Sequence, residues 1–278
     1  MSQFMTLVAD LALVESPRWH DDRLVFSDWG ARQVLSVTPD GQRDVVADVP
    51  AMPFCLDRLP DGRLVVTAGQ QLLVRAADGR LAPYADLSQL SDKAWNDIVI
   101  DRHGNAYVNN VNFDFPGGEF RPGLLAVVTP NGEARLVADG LVFPNGMAIS
   151  PDGSTLVVAE SYASRLTAFD IQADATLSNQ RTWAALEQAA PDGICFDAEG
   201  AVWFAEVPGQ RCVRVAEGGE VLQQLNSELG CFACMLGGPD GRTLFVTAAA
   251  WPDAMTPGSR TGRILTATVR VPGAGWPR

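Results

Sequence analysis

The chain has 278 residues, of which 47% are hydrophobic and 19% charged, and its formal net charge is −12. No run approaches the roughly 18 apolar residues of a membrane span, and the start lacks the basic and apolar blocks of a secretory signal, so we expect a cytoplasmic protein. An acidic chain without a Lys/Arg cluster is repelled by phosphate backbones and anionic membranes, so we expect a small-molecule partner and a monomer or small homo-oligomer.

A six-fold repeat of a short apolar run, a turn and a second β-rich run organises the chain. Its copies are SPRWHDDRLVFSD, LDRLPDGRLVVTA, IVIDRHGNAYVNN, MAISPDGSTLVVAE, ICFDAEGAVWFAE and MLGGPDGRTLFVTA. The predicted hairpin turns, in residue types that mostly tolerate positive φ, are Asp22-Arg23, Asp61-Gly62, His103-Gly104, Asp152-Gly153, Glu199-Gly200 and Asp240-Gly241.

A second, weaker hairpin follows most copies, for example in SVTPDGQRDVVAD and VVTPNGEARLVAD. Each unit therefore has four short strands and recurs about every 40–50 residues, which is typical of propeller blades. We predict an all-β protein, a six-bladed β-propeller with four antiparallel strands per blade, as a single domain over residues 1–278.

The innermost strand of each blade lines the channel of a propeller, so equivalent positions form a ring. The residues seven positions before each turn are Glu15, Phe54, Asn96, Asn145, Asp192 and Ala233. Two carboxylates in a narrow channel repel each other unless a cation lies between them. We predict that Glu15, Asn96, Asn145 and Asp192 bind one divalent metal ion. Oxygen ligands make Ca²⁺ the first choice, with Mg²⁺, Mn²⁺, Zn²⁺ and Fe²⁺ as alternatives.

Histidine and cysteine offer little to such a site. The two histidines, His20 and His103, lie about 16 and 23 Å along their strands from the ring, so we expect packing or surface roles. Of five cysteines, only Cys231 and Cys234 form a CxxC pair, without the second pair or nearby histidine of a structural zinc site. We expect the cysteines to be buried thiols.

The connections between the second and third strands face the ring end of the channel. They contain few cations and several aromatic residues, namely Trp29, Phe113, Phe115, Tyr162 and Trp251. Long loops on a rigid scaffold usually determine specificity. The opening of the channel that these loops surround, here called the mouth, has a composition that suits an uncharged, partly apolar ligand. The alternative for each aromatic residue is packing between blades.

Four motifs, VESPRW, WNDIVIDRHGNAYV, FPNGMAISPDG and PDGICFDAEGAVW, resemble the regucalcin/gluconolactonase family of six-bladed propellers, also called senescence marker protein or sugar-lactone lactonase. The resemblance implies a divalent ion bound by Glu15, Asn145 and Asp192. It also implies substrate contact by Asn96, with Asp97 beside it.

The chain departs from that family at two substrate positions. Members that act on sugar lactones often carry Arg two residues ahead of the substrate Asn, where this chain has Ala94. Their acidic substrate-binding residue falls, by equal spacing, on Asp114. Both a sugar lactone and a less polar lactone or ester therefore stand as substrates.

The leading hypothesis is a metal-dependent lactonase in which Asp192 is the catalytic general base for the attacking water. The predicted substrate-binding residues are Asn96, Asp97, Asp114, Trp29, Phe113, Tyr162 and Trp251. One alternative is a phosphotriesterase of the diisopropylfluorophosphatase type, which resembles this chain in its Glu-Asn-Asn-Asp ring and would use Asp192 as nucleophile. The other is a non-catalytic calcium- or ligand-binding propeller.

Overall fold

The computed structural model describes residues 4–275, whose strands form six four-stranded antiparallel sheets. This confirms the predicted all-β, six-bladed propeller. One 3₁₀ turn, Asp253–Met255, is the only helix in the described range, and no helix there has the length to cross a membrane.

The blades follow chain order, each listed from its inner strand outward. Blade 1 contains β2 (Val14–His20), β3 (Arg23–Asp28), β4 (Gln33–Val37) and β5 (Arg43–Asp48). Blade 2 contains β6 (Leu56–Arg58), β7 (Leu64–Ala68), β8 (Gln71–Arg75) and β9 (Leu81–Asp86). Blade 3 contains β10 (Ile98–Ile100), β11 (Ala106–Asn110), β12 (Gly123–Val128) and β13 (Ala134–Leu141).

The second half of the ring repeats this order. Blade 4 contains β14 (Pro144–Ile149), β15 (Thr155–Glu160), β16 (Arg165–Ile171) and β17 (Leu177–Ala185). Blade 5 contains β18 (Pro191–Phe196), β19 (Val202–Glu206), β20 (Arg211–Val215) and β21 (Val221–Asn226). Blade 6 contains β22 (Gly230–Gly237), β23 (Thr243–Ala249), β24 (Gly262–Thr268) and β1 (Met5–Leu11).

The first strand of the chain closes the ring. β1 pairs antiparallel with β24, from Met5 opposite Thr266 to Leu11 opposite Gly262. The repeat did not predict this strand, because β1 precedes the first hairpin and has no turn partner of its own. The first and last strands of the described chain thus share blade 6, and their pairing closes the ring and covers the outer edge of β24.

The first hairpin turn lies one residue earlier than predicted. Asp21 and Asp22, not Asp22-Arg23, form the turn, with φ of 48° and 58°. The flanking strands pair up to His20 opposite Arg23. Two consecutive positive φ values match a two-residue turn whose twist suits a hairpin, and aspartate tolerates that backbone better than most residues.

The six inner strands meet around the axis, each touching the inner strands of both neighbouring blades. Two glycines permit this approach near the ring. A Cβ at Gly146 would lie 2.5 Å from the carbonyl oxygen of Asp192, and one at Gly193 would lie 2.2 Å from the Cβ of Ala233. These glycines follow Asn145 and Asp192 because the neighbouring blade leaves no room for a side chain.

The core lies between successive blades and contains all the cysteines. All five are free and buried, as predicted, and four of them occupy the core cluster between blades 5, 6 and 1: Cys195, Cys212, Cys231 and Cys234. His103 lies in an exposed turn. His20 is buried at the last position of β2, and Glu15 lies near the first position of the same strand. The structure therefore places both histidines away from the ring.

Candidate functional site

The four predicted ligands lie at the starts of inner strands, at one end of the channel. Glu15, Asn145 and Asp192 belong to β2, β14 and β18, and Asn96 precedes β10 by two residues. Glu15 is buried, and the other three are half-buried. Their oxygens thus lie at the edge of the protein interior, where solvent can still reach them.

Carboxyl groups crowd this end of the channel. Burial, together with the charge of Asp97, raises the pKa of Glu15 to about 8. Burial and the charges of Glu15 and Asp97 raise the pKa of Asp192 well above its ordinary value. Charged carboxylates at such short range need compensation by a cation, so the site favours either protons or a bound metal ion.

Arg18 compensates only the deeper part of this cluster. Its guanidinium is buried, donates a 2.7 Å hydrogen bond to the carbonyl of Ile98, and lies 3.8 Å from Asp97 and 3.7 Å from Asp57. Neither Glu15 nor Asp192 forms an ion pair with any residue in the described chain. The negative charge nearest the mouth is therefore left for a ligand.

The Arg18 network was not predicted from the sequence. Arg18 follows the ring position Glu15 by three residues, and Asp57 follows the ring position Phe54 by three. A comparison of the ring positions alone therefore did not include them. Asp57 accepts the backbone N–H of Ile100 at 2.8 Å, which links blade 2 to blade 3. A signal was present, because a charged residue inside a strand of otherwise buried residues usually has a buried partner.

Asn109 is a second group that the sequence reasoning missed. Its amide nitrogen donates to the carbonyl of Asn145 at 2.5 Å, and its amide oxygen accepts from the N–H of Asp97 at 3.3 Å. Asn109 is fully buried on β11 and therefore ties the Asn96 loop of blade 3 to the Asn145 strand of blade 4. Ser27 and Thr247 occupy the same register and bond the backbones of Glu15 and Ala233.

Ser161 makes a corresponding link between blades 4 and 5. Its hydroxyl accepts from the side-chain amide of Asn145 at 3.3 Å and donates to the carbonyl of Pro191 at 2.7 Å. Because the amide nitrogen of Asn145 is used in this way, its amide oxygen is the atom left for a ligand.

The donor set fits a hard divalent ion. Glu15 uses one carboxylate oxygen to accept the N–H of Ser16, and the side chain of Asn96 has no hydrogen bond within residues 4–275. That range holds no metal-binding group of three or more His, Cys, Asp or Glu side chains. The candidate centre has two carboxylates and two amides instead, all oxygen donors of the kind that Ca²⁺ and Mg²⁺ prefer.

The two acidic residues predicted to bind substrate are already engaged. Asp97 is buried, and its carboxylate accepts the N–H of Met147 at 2.8 Å and lies beside Arg18. Asp114 is exposed in the mouth loop and forms a 2.7 Å ion pair with Lys93. Asp97 therefore belongs to the channel network, and Asp114 contributes a neutralised pair to the mouth.

The predicted aromatic residues fall into two groups on opposite sides of the mouth. Trp29 donates its indole N–H to the carbonyl of Phe54 at 2.5 Å and packs between blades. On the same side, Trp251 packs against Phe232 with ring centroids 5.9 Å apart. Phe113 and Tyr162 lie across the mouth, at blades 3 and 4.

The metal-free protein should lose stability as the pH rises from about 4.5 to about 8. Glu15 has its pKa raised to about 8, so the folded state holds a proton that the unfolded chain releases near its ordinary pKa of 4.5. Stability then falls by roughly 1 kcal/mol per pH unit in that interval. Urea midpoints in chelator at several pH values measure this slope. A saturating divalent ion should reduce it, and a metal-free stability that rises across the interval would contradict the prediction.

An Asn109→Ala variant should weaken metal binding by about 10- to 100-fold, because Asn109 holds the Asn145 ligand in place. It should also lose about 1–3 kcal/mol of stability from the buried hydrogen bonds. Calorimetric titration and urea unfolding measure the two effects. Thr247→Ala is the matched control, since Thr247 makes the equivalent bonds in blade 6 to Ala233, which has no ligand oxygen in its side chain. Equal metal affinities in the two variants would refute a positioning role for Asn109.

The chain is similar in sequence to known proteins. Residues 13–250 match the family model described as SMP-30/Gluconolactonase/LRE-like region. Regucalcin from Xenopus laevis is 26% identical over 246 residues, which cover 84% of this chain and 82% of that protein.

Solved structures show the same fold. A gluconolactonase from Xanthomonas campestris superposes with a TM-score of 0.77 at 24% identity, covering 96% of this chain and 89% of the other. A calcium-binding protein, regucalcin, from Agrobacterium tumefaciens superposes with a TM-score of 0.80 at 20% identity, covering 96% and 94%. At these identities the superpositions establish the architecture.

Proposed function

Because the chain belongs to the SMP-30/gluconolactonase/LRE-like family, we propose that it is a divalent-metal-dependent hydrolase that opens a lactone or a similar ester. The observation that carries the proposal is the pair of carboxylates, Glu15 and Asp192, held at the channel mouth without a cationic partner. The oxygens of Asn96 and Asn145 complete the donor set. The names of the relatives, gluconolactonase and regucalcin, support both the reaction and a calcium-binding site.

Glu15, Asn96, Asn145 and Asp192 would hold the divalent ion, with Ca²⁺ as our first choice. The bound ion would supply the positive charge that polarises an ester carbonyl and stabilises the developing oxyanion. Asp192 acts as general base and takes a proton from the attacking water as the new C–O bond forms. The ring C–O bond then breaks, and Asp192 returns the proton to the departing oxygen. The products are a carboxylic acid and an alcohol within one molecule.

The environment of Asp192 supports this role. A carboxylate that binds the ion through one oxygen keeps its second oxygen free to accept a proton from the attacking water, as a general base must. The unpaired amide of Asn96 is available to bind and orient the substrate. The ion pair between Lys93 and Asp114 places a neutral polar group at the rim.

Protein stripped of metal and reloaded separately with Ca²⁺, Mg²⁺, Mn²⁺, Zn²⁺ or Fe²⁺ tests the proposal on matched panels of lactones and organophosphate triesters. We expect metal-dependent turnover of lactones. A preference for the triesters by orders of magnitude would identify a phosphotriesterase instead. Metal binding without turnover of either panel would identify a non-catalytic propeller.

A further inference from the structure

Five aromatic side chains form one continuous cluster at the mouth between blades 3 and 4, here called the aromatic wall: Phe113, Phe115, Phe120, Phe143 and Tyr162. Phe143 is the centre, with ring centroids 4.4 Å from Tyr162, 5.0 Å from Phe115 and 5.7 Å from Phe113. Phe120 joins through Phe113 at 5.7 Å. Phe113, Phe115 and Tyr162 were predicted at the mouth from the sequence, whereas Phe143 and Phe120, which join and extend them, were not.

The wall has a fixed inner layer and an open outer layer. Phe113 and Phe143 are only 7% and 8% exposed, whereas Phe115, Phe120 and Tyr162 are 46%, 45% and 56% exposed. The buried rings hold the outer rings in place by stacked and edge-on contacts. Folding therefore leaves a preformed apolar surface uncovered, and such surfaces usually bind something.

The wall is attached directly to the candidate metal centre. Phe143 lies two residues before Asn145, and its φ of 59° is a left-handed backbone that bulky residues rarely adopt. Its carbonyl accepts the N–H of Ser161 at 3.1 Å, and Ser161 in turn bonds the side chain of Asn145. Tyr162 is the next residue. Backbone strain of this kind concentrates at functional sites, where surrounding contacts maintain it.

Lys93, a cation at this side of the mouth, is not free to bind an anionic or polar substrate group. Lys93 and Asp114 pair with each other, and Ala94 contributes only a methyl group next to them. Hydroxyl groups placed against aromatic faces would lose hydrogen bonds to water without replacement, which is costly. A flat or alkyl group placed there would instead bury apolar surface.

We propose that the aromatic wall binds an apolar substituent, aromatic or alkyl, on the ring of the lactone substrate. This inference rests on the proposed function and names its substrate class. The enzyme then prefers lactones with an apolar side group over polyhydroxylated sugar lactones. The wall lowers KM for such substrates by contact remote from the reacting carbonyl.

The kinetic test compares γ-phenyl-γ-butyrolactone, unsubstituted γ-butyrolactone and glucono-δ-lactone in the wild type and in Tyr162→Ala. We expect the phenyl compound to be preferred, and its KM to rise about tenfold in the variant. The KM of γ-butyrolactone, which lacks the phenyl group, should rise far less than that of the phenyl compound. Leu222→Ala, which truncates an exposed side chain on β21, is the control and should alter neither substrate.

Failure of the wall and failure of the proposed function give different results. Turnover of γ-butyrolactone with no preference for the phenyl compound, or equal effects of Tyr162→Ala on both, would overturn the wall and leave the lactonase intact. If no lactone is turned over, the wall is tested separately by calorimetric titration of the wild type and Tyr162→Ala with the phenyl-substituted γ-lactam. Tighter binding to the wild type than to Tyr162→Ala would support the wall, and equal or no binding would overturn it.

Discussion

An Asp192→Asn variant should lose about three orders of magnitude in kcat for lactone hydrolysis at saturating metal, within the range that a general base contributes. Asparagine keeps an oxygen for the metal ion and nearly the same volume, but it accepts no proton from water at neutral pH. Metal affinity should fall as well, because one ligand loses its charge, so kcat is measured with the variant saturated by metal. Steady-state kinetics and a metal titration on the same preparation measure the two.

The matched control is Asp139→Asn, which makes the same chemical change on an exposed outer strand of blade 3. It should retain wild-type kinetics. Full metal-dependent turnover by Asp192→Asn would remove Asp192 from the mechanism.

Isotope labelling distinguishes a general base from a nucleophile at the same residue. In a single turnover in H₂¹⁸O, a general base delivers the labelled oxygen directly to the product. A nucleophilic Asp192 would transfer its own unlabelled oxygen first and carry the label itself. Mass spectrometry of the product and of the peptide containing Asp192 reads both outcomes, and we expect the label in the product.

A Glu15→Gln variant should have an affinity for a divalent ion that is lower by more than about 100-fold. Loss of a group that only supports a ligand typically lowers metal affinity by about 10- to 100-fold. The same change should stabilise the metal-free protein, because glutamine has no charge to bury beside Asp97 and Asp192. The two effects thus have opposite signs. Calorimetry and thermal unfolding in chelator at pH 8 measure them.

Glu217→Gln, in an exposed turn of blade 5, is the control for loss of one negative charge. It should change neither quantity. A Glu15→Gln protein with wild-type metal affinity would exclude Glu15 as a ligand, and one less stable without metal would contradict the electrostatic account.

The ring at the channel mouth was predictable because a propeller repeats its register. Residues seven positions before each turn are equivalent wherever the hairpins have similar geometry, so Glu15, Asn145 and Asp192 could be aligned by counting. Counted from the observed turn at Asp21, the same rule gives Val14. Glu15 is still the equivalent residue, because it follows Val14, which pairs with Asp28 as Pro144 pairs with Glu160 and Pro191 pairs with Glu206.

What the sequence did not predict depends on contacts between blades. Arg18 meets Asp57 and Asp97 only after three inner strands converge, and Asn109 reaches Asn145 across a blade boundary. Nothing along one strand specifies such partners. Phe143 was overlooked for a similar reason, because its ring contacts loops that are distant in sequence or separated by a strand.

The pairing of β1 with β24 has a consequence for synthesis of the chain. β1 is made before the other strands of the propeller, yet its strand partner within residues 4–275 begins at Gly262, so β1 has no sheet to join until the other five blades have been made. Glu15 follows β1 by four residues, and its β2 reaches the inner strand of blade 6 only when that blade exists. During translation, therefore, closure of the ring and assembly of the metal ligands become one late event, and a ribosome that stops before blade 6 releases a chain with neither.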